Sequence, residues 1–169
     1  MSIITLELRT TSVNIWLRNL FFVLICFAAP GVFATPGLET VDNLSLVGDE
    51  ARQAKLVVIV LVTQPDCSFC EYVKSHHIEP MIRNNTLANI AVIRELDLEG
   101  ISVTDFSGAA IEPGEFARRY DAEFSPSVLF LSADGAQLHE PIIGVGSRDY
   151  YGYYLDQAIE KSAALIVDR

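Results

Sequence analysis

The sequence predicts an α/β domain in which a central mixed β-sheet is flanked by helices on both faces. Three observations carry that prediction. The run Leu56-Val57-Val58-Ile59-Val60-Leu61-Val62 is continuously apolar and rich in β-branched residues, the pattern of a strand buried on both faces. Two cysteines, Cys67 and Cys70, follow it at a spacing of one helical turn, with Pro65-Asp66 turning the chain between strand and helix. The periodic segments as a whole run strand, helix, strand, helix, hairpin, helix, an order that builds layers of helix on sheet.

The elements follow in order. Arg9 and Arg18 precede the ten-residue apolar stretch from Leu20 to Ala29, and Val32 and Ala34 occupy small-residue positions after Pro30-Gly31. This is the outline of a secretory signal peptide, residues 1–34, cut near Ala34; the core is shorter than the roughly 20 residues that span a bilayer. The competing readings are a leader retained as an anchor and a lipoprotein acylated on Cys26, the latter disfavoured by the large Ile25 before it. Residues 35–51 form an N-terminal extension, a short helix or packed arm carrying Leu38, Val41, Leu44, Leu46 and Val47, and residues 52–169 form the domain proper. The first confident strand covers residues 56–63. Asp66 is positioned to cap a helix that begins near Cys67 and runs to about Ile78, with a kink or restart at Glu79-Pro80. A strand is expected at about Ile90 to Leu96, and a short edge strand over 102–106 with a turn at Ser107-Gly108. Pro113 to Tyr120 reads as a helix with Phe116 and Tyr120 facing the core. Ser127 to Leu131 and Gln137 to Ile143 are strands of a hairpin turned at Ala133-Asp134-Gly135. Ser147 caps a terminal helix to about Val167, with Tyr150, Tyr154, Leu155, Ala158 and Ile159 on its buried side.

Charge and cysteine use narrow the function. The chain carries 12 Lys and Arg against 22 Asp and Glu, a net charge of −10, with no basic stripe, which argues against nucleic acid as a partner. Export would remove Cys26 with the leader and leave Cys67 and Cys70 alone in an oxidising compartment. A bridge over two intervening residues closes too short a loop to stabilise much, so redox chemistry explains the pair better than structure does. At a helix start the unpaired amides and the macrodipole favour a thiolate, which makes Cys67 the expected nucleophile; Cys70, one turn deeper on the same face, is the expected resolving thiol. Phe69 between them reads as an exposed contact for a substrate protein, and Asp66 and Ser68 as residues that tune the redox properties.

Through these residues the sequence resembles the thioredoxin superfamily over about residues 52–167. The resemblance rests on the hydrophobic strand, Cys67-Ser68-Phe69-Cys70 at a helix start, Ser125-Pro126-Ser127 before a strand, and the Asp134-Gly135 hairpin. Gln64-Pro65-Asp66-Cys67 and Phe116-Ala117-Arg118-Arg119-Tyr120 are similar to exported bacterial thioredoxin-like proteins such as those accompanying periplasmic sulfur oxidation. The resemblance implies a thioredoxin-like fold, a cis peptide bond before Pro126 facing the dithiol, and a backbone contact from Ser125 to the substrate chain. It departs from thioredoxin in two places: Leu61 stands where thioredoxin has a buried acid six positions before the first cysteine, and Ser68-Phe69 replaces Gly-Pro.

The expected function is an exported, periplasmic or secreted thiol:disulfide oxidoreductase. Asp66 and Glu71 oppose a thiolate and no His or Lys lies between the cysteines, so a reductase or isomerase is favoured over a strong oxidase. Its partners would be protein thiols and disulfides, with a membrane thiol carrier as electron donor and the protein itself a monomer. It would need no cofactor beyond the Cys67–Cys70 disulfide and no metal. His76 and His77 lie too far up the helix to share an ion with the cysteines, His77 by about 10 Å. The alternative is a binding module that makes no catalytic use of the cysteines, or a Cu(I)-handling protein that uses them as ligands.

Overall fold

In the computed structural model the described residues are 37–167. The expected leader therefore lies outside the described residues, as does the start of the extension.

A five-stranded mixed sheet occupies the centre. Its strands are β1 (Glu39–Thr40), β2 (Val57–Thr63), β3 (Ala91–Asp97), β6 (Ser127–Leu131) and β7 (Gln137–Ile143), in the spatial order β1-β3-β2-β6-β7. β3 runs parallel to both β1 and β2, whereas β6 is antiparallel to β2 and β7 to β6. Every residue of β2 is buried, as the uninterrupted apolar run requires. Alternate side chains of that strand serve opposite faces. Val58, Val60 and Val62 join one apolar cluster with Leu44, Val47, Phe116 and Leu129; Val57, Ile59 and Leu61 join another with Val73, Ile78, Phe130 and Leu155.

The first cluster is covered by α1 (Leu44–Ala54) and α4 (Pro113–Arg118). Asn43 caps α1, its side-chain oxygen accepting from the Leu46 amide at 3.2 Å. The expected boundary between extension and domain, at residue 51, falls inside this helix, and Leu46 of the expected packed set is exposed. Gly48 lets α1 approach the turn of the β6–β7 hairpin, for a Cβ there would meet the Ala133 carbonyl oxygen at 2.4 Å.

The second cluster is covered by the helix that follows Cys67 and by the C-terminal helix. The former is one continuous rod: α2 (Ser68–Val73), a π turn (Lys74–Ile78) and α3 (Glu79–Arg83). The restart expected at Glu79-Pro80 is thus a widened turn. The C-terminal helix α5 (Arg148–Val167) buries Tyr151, Leu155, Ala158, Ile159 and Ser162. Tyr150 and Tyr154, expected on that side, are 61% and 56% exposed. Leu155, Ala158 and Ile159 are buried as expected, and Tyr151 takes the buried place expected of Tyr150 and Tyr154. Ser162 fits within it because its hydroxyl donates to the Ala158 carbonyl at 2.7 Å.

The segment expected as an edge strand forms a separate two-stranded ribbon, β4 (Val103–Thr104) with β5 (Ala110–Ile111). Asp105 closes it. Its Oδ1 accepts from the Ser107 hydroxyl at 2.6 Å and from the amides of Ser107 and Ala109, and Oδ2 accepts from Arg119 at 2.9 Å. The Ser107 hydroxyl leads in drawing the carboxyl from its ordinary 3.8 to about 2; burial opposes this, and Arg119 and the two amides reinforce it.

Two predictions follow from this packing. Gly→Ala in a helix ordinarily stabilises by about 0.4–1 kcal/mol. Gly114→Ala, where a Cβ meets nothing within 4 Å, should gain a few tenths, up to about 1 kcal/mol, in urea unfolding, and Gly48→Ala should lose about 1 kcal/mol or more because backbone must move. Asp105 titrates lower in the folded chain than in the unfolded one, so its contribution is complete above pH 3.8 and is lost as pH falls towards about 2. The wild-type protein should lose more stability across that window than Asp105→Asn does, as read by denaturant midpoints at each pH.

Candidate functional site

The site forms where β2 ends. Antiparallel pairing sets Val62 against Ser127, so the residues that follow β2 meet those that precede β6. Gln64-Pro65-Asp66 carries the chain out of the sheet, with Asp66 at φ 55°, a left-handed conformation that Asp tolerates better than most side chains. On the other side the Ser125–Pro126 peptide bond is cis, and the Pro126 carbonyl accepts from the Gly144 amide at 2.7 Å, which fastens this loop to the end of β7.

Cys67 is the cap of α2. Its Sγ accepts from the Cys70 amide at 3.1 Å, the place that the sequence assigned to the Asp66 carboxylate. Asp66 is instead exposed, one residue outside the cap. The physical reason is its left-handed backbone, which begins the helix at Ser68 and brings the sulfur, in place of the carboxylate, over the first free amides. Cys67 and Cys70 form a disulfide with S–S 2.11 Å and Cα–Cα 5.2 Å. Cys67 is partly accessible and Cys70 is 1% exposed, packed beneath the first turn. The Ser125 hydroxyl donates to Cys67 Sγ at 3.9 Å, and Pro126 is buried beside it. Phe69 is 48% exposed, and Ser68 is exposed at the first position of α2. The expected site residues Cys67, Cys70, Ser125 and Pro126 therefore come together, with Phe69, Ser68 and Asp66 around their rim.

Lys74, Glu95 and Arg148, charged groups missing from the sequence reading, complete the surroundings. Glu71 is held by Lys74 at 2.6 Å, and Lys74 also reaches Glu95 on β3 at 3.2 Å. Glu95 stands in register with Leu61 and accepts from the Thr63 hydroxyl at 2.8 Å. Burial lowers the affinity of Lys74 for its proton, but the hydrogen bonds to Glu71 and Glu95 outweigh it and the ammonium titrates above its ordinary value. Thr63, Glu71, Lys74 and Glu95 line a cleft of about 520 Å³ that opens beside Cys67. The second group is Arg148, the first residue of α5. Its guanidinium lies 5.6 Å from the Phe69 ring centroid and 4.9 Å from that of Tyr72. A charge inside an otherwise buried strand was a signal for Glu95. Nothing local in sequence signalled Arg148, which tertiary structure brings to the dithiol from the far end of the chain.

The histidines stand apart from this chemistry. His76 stacks on Tyr72 with centroids 4.6 Å apart, and His77 packs against Tyr151 at 4.9 Å, where burial above all lowers its pKa. Among the described residues, no group of three or more His, Cys, Asp or Glu side chains could hold a metal ion.

No family model and no curated protein sequence matches this chain. Solved structures do. Thioredoxin f from spinach chloroplast superposes with a TM-score of 0.51 at 15% identity, covering 76% of this chain and 96% of its own. Fasciola hepatica thioredoxin gives a TM-score of 0.51 at 12% identity, over 74% of this chain and 99% of its own. The chain has the thioredoxin fold, with a mixed sheet and helices on both faces, as the sequence led one to expect.

Proposed function

For a chain with this fold, we propose a thiol:disulfide oxidoreductase that exchanges the Cys67/Cys70 pair with the disulfides of protein substrates. One observation carries the reading: a reachable sulfur at a helix tip, facing Ser125 and cis-Pro126, with its partner sulfur buried directly behind it.

The chemistry starts from the reduced pair. Cys67 loses its proton at the helix N-terminus, where the free amides stabilise the anion, and its thiolate attacks one sulfur of the substrate disulfide. The substrate S–S bond breaks, the second substrate sulfur leaves as a thiolate, and a mixed disulfide to Cys67 remains. Cys70 then gives up its proton and displaces the substrate from Cys67. The protein is left oxidised in the Cys67–Cys70 form and the substrate has gained two electrons. Ser125 and Pro126 hold the substrate backbone beside the sulfur, Phe69 contacts its side chains, and Asp66 and Ser68 adjust the potential. The Cys70 thiol is placed to react only with a sulfur already bound to Cys67, which limits over-reaction with solvent thiols.

The favoured direction is reduction or isomerisation. Strong oxidants owe their power to a stabilised reduced form, and among the described residues the Cys67 sulfur accepts from one backbone amide and one hydroxyl, with the Asp66 carboxylate adjoining. A reductant working outside the cytoplasm needs electrons from another protein, for which a membrane thiol carrier has suitable chemistry. The apolar segment at residues 20–29 and the two-cysteine economy of the remainder support export to a periplasmic or secreted location, and monomeric action is the simplest state.

Two measurements test the reading. Cys70→Ala should accumulate a mixed disulfide with substrate protein, visible on a non-reducing gel and released by dithiothreitol, whereas Cys67→Ser should accumulate none; absence of any adduct with Cys70→Ala would falsify the exchange mechanism. Equilibration of the pair with glutathione should give a potential at or below about −180 mV, the range of isomerases and thioredoxins, and a value near −120 mV would reverse the assigned direction.

A further inference from the structure

Arg148 is exceptional among the arginines of the described residues. Of the six arginines among the described residues, Arg52, Arg83, Arg94, Arg118 and Arg119 each reach a carboxylate within 4 Å. Arg148 has no carboxylate partner among the described residues and lies against Phe69 and Tyr72 instead. In a protein of net charge −10, acidic partners are abundant, so an arginine left without one beside the candidate site is an anomaly.

The geometry gives that anomaly a use. A guanidinium resting on aromatic faces is attracted through the ring quadrupole while its in-plane N–H donors remain free. The Tyr72 hydroxyl also donates to the Arg148 carbonyl at 3.5 Å, which ties the backbone of this residue to the ring that its guanidinium covers. Phe69 lies between the two cysteines, so whatever approaches Cys67 across that ring also approaches Arg148. Free guanidinium donors in a fixed plane suit the two oxygens of a carboxylate.

We propose that Arg148 is a specificity residue that recognises a carboxylate carried by the disulfide substrate, one to three residues from the reacting cysteine. The distance follows from an extended chain, which advances about 3.3 Å per residue and must pass over Phe69 to reach both groups. The proposal rests on the exchange reading above and names the substrate class for that same site: acidic segments around a disulfide. The preference is local. At long range the negative chain repels an acidic substrate, so a measured preference for one cannot come from the overall field.

The test uses the full chain, reduced beforehand and mixed with peptide disulfides of a common sequence that carry Glu, Gln or Lys two residues from the cysteine. The second-order rate of reduction is read by acid quench and chromatography. Wild-type protein should reduce the Glu peptide about five-fold faster than the Gln peptide at low salt, with the ratio falling as salt rises, as for a partly exposed ion pair. Arg148→Gln should bring the ratio close to one, and Arg148→Glu should transfer the preference to the Lys peptide. Oxidised glutathione is a second arm: a loss of rate confined to glutathione in Arg148→Gln would assign the carboxylate to a small thiol and overturn the peptide assignment. Equal rates for Glu and Gln peptides in the wild type, or an equal fall for both in Arg148→Gln, would overturn the proposal while leaving the exchange reading intact. No reduction of any peptide would remove the exchange reading and the proposal together.

Discussion

The antiparallel pairing of β2 with β6 is the constraint on which the site depends, because neither half of the site is near the other in sequence and only this register brings them together. Val62 opposite Ser127 places the loop after β2 beside the loop before β6, and so sets Ser125 and Pro126 against Cys67. A slip of one residue would turn the buried side chains of β2 to the wrong clusters. Both faces of β2 are packed, the valines against α1 and α4 and the alternate set against α2 and α5, so such a slip would disrupt two cores at once. The geometry around the sulfur is thus as firm as the centre of the sheet.

Electrostatics around the dithiol look different in three dimensions from their appearance along the chain. In sequence, Asp66 and Glu71 flank the cysteines with nothing positive between them. In the fold, Glu71 is committed to Lys74, which is shared with Glu95, and Arg148 arrives over Phe69. Carboxylate charge that would oppose a thiolate at Cys67 is therefore partly offset, and Asp66 is left as the principal opposing group. The Lys74–Glu95 pair also fills a place that the sequence left open. Leu61 provides no acid, but its neighbour in the parallel register does, on the strand beside it and facing the same cleft as Cys67.

What could be read from sequence divides along a physical line. β6 and β7 have the bounds expected of them, and β2 begins one residue later, because β2 and β6 are apolar runs closed by turn residues and β7 is the return arm of a hairpin marked by Asp134-Gly135. The dithiol and the proline loop were legible because their residue types and spacings are unusual. The first turns of α5 were not, since four tyrosines in five residues offer two apolar stripes and only tertiary packing, with Tyr151 against His77, chooses Tyr151 over Tyr150 and Tyr154. The identity of the cap was missed because the left-handed backbone at Asp66 shifts the helix start by one residue. Arg148 was invisible as a site residue for a simpler reason: its relation to Phe69 and the dithiol is a product of tertiary packing, whereas Glu95 left a trace as a charge within a largely buried strand.

The π turn links several of these outcomes. Pro80 has no amide to donate and its ring would collide with the carbonyl of His76 in a regular helix, which ordinarily breaks or kinks the rod. Here the Glu79 amide bonds to the Lys74 carbonyl, five residues back, so the turn widens before the proline and the helix continues without a break. Widening the turn changes the faces on which its residues project. His76 returns to stack on Tyr72, His77 packs on Tyr151, and Lys74 at the start of the turn points to Glu95. The His77–Tyr151 contact seats the beginning of α5 against this rod, and the beginning of α5 is where Arg148 lies. A proline about three turns beyond Cys70 therefore bears on which cation stands beside the site, through ring contacts that local helix propensity alone would not produce.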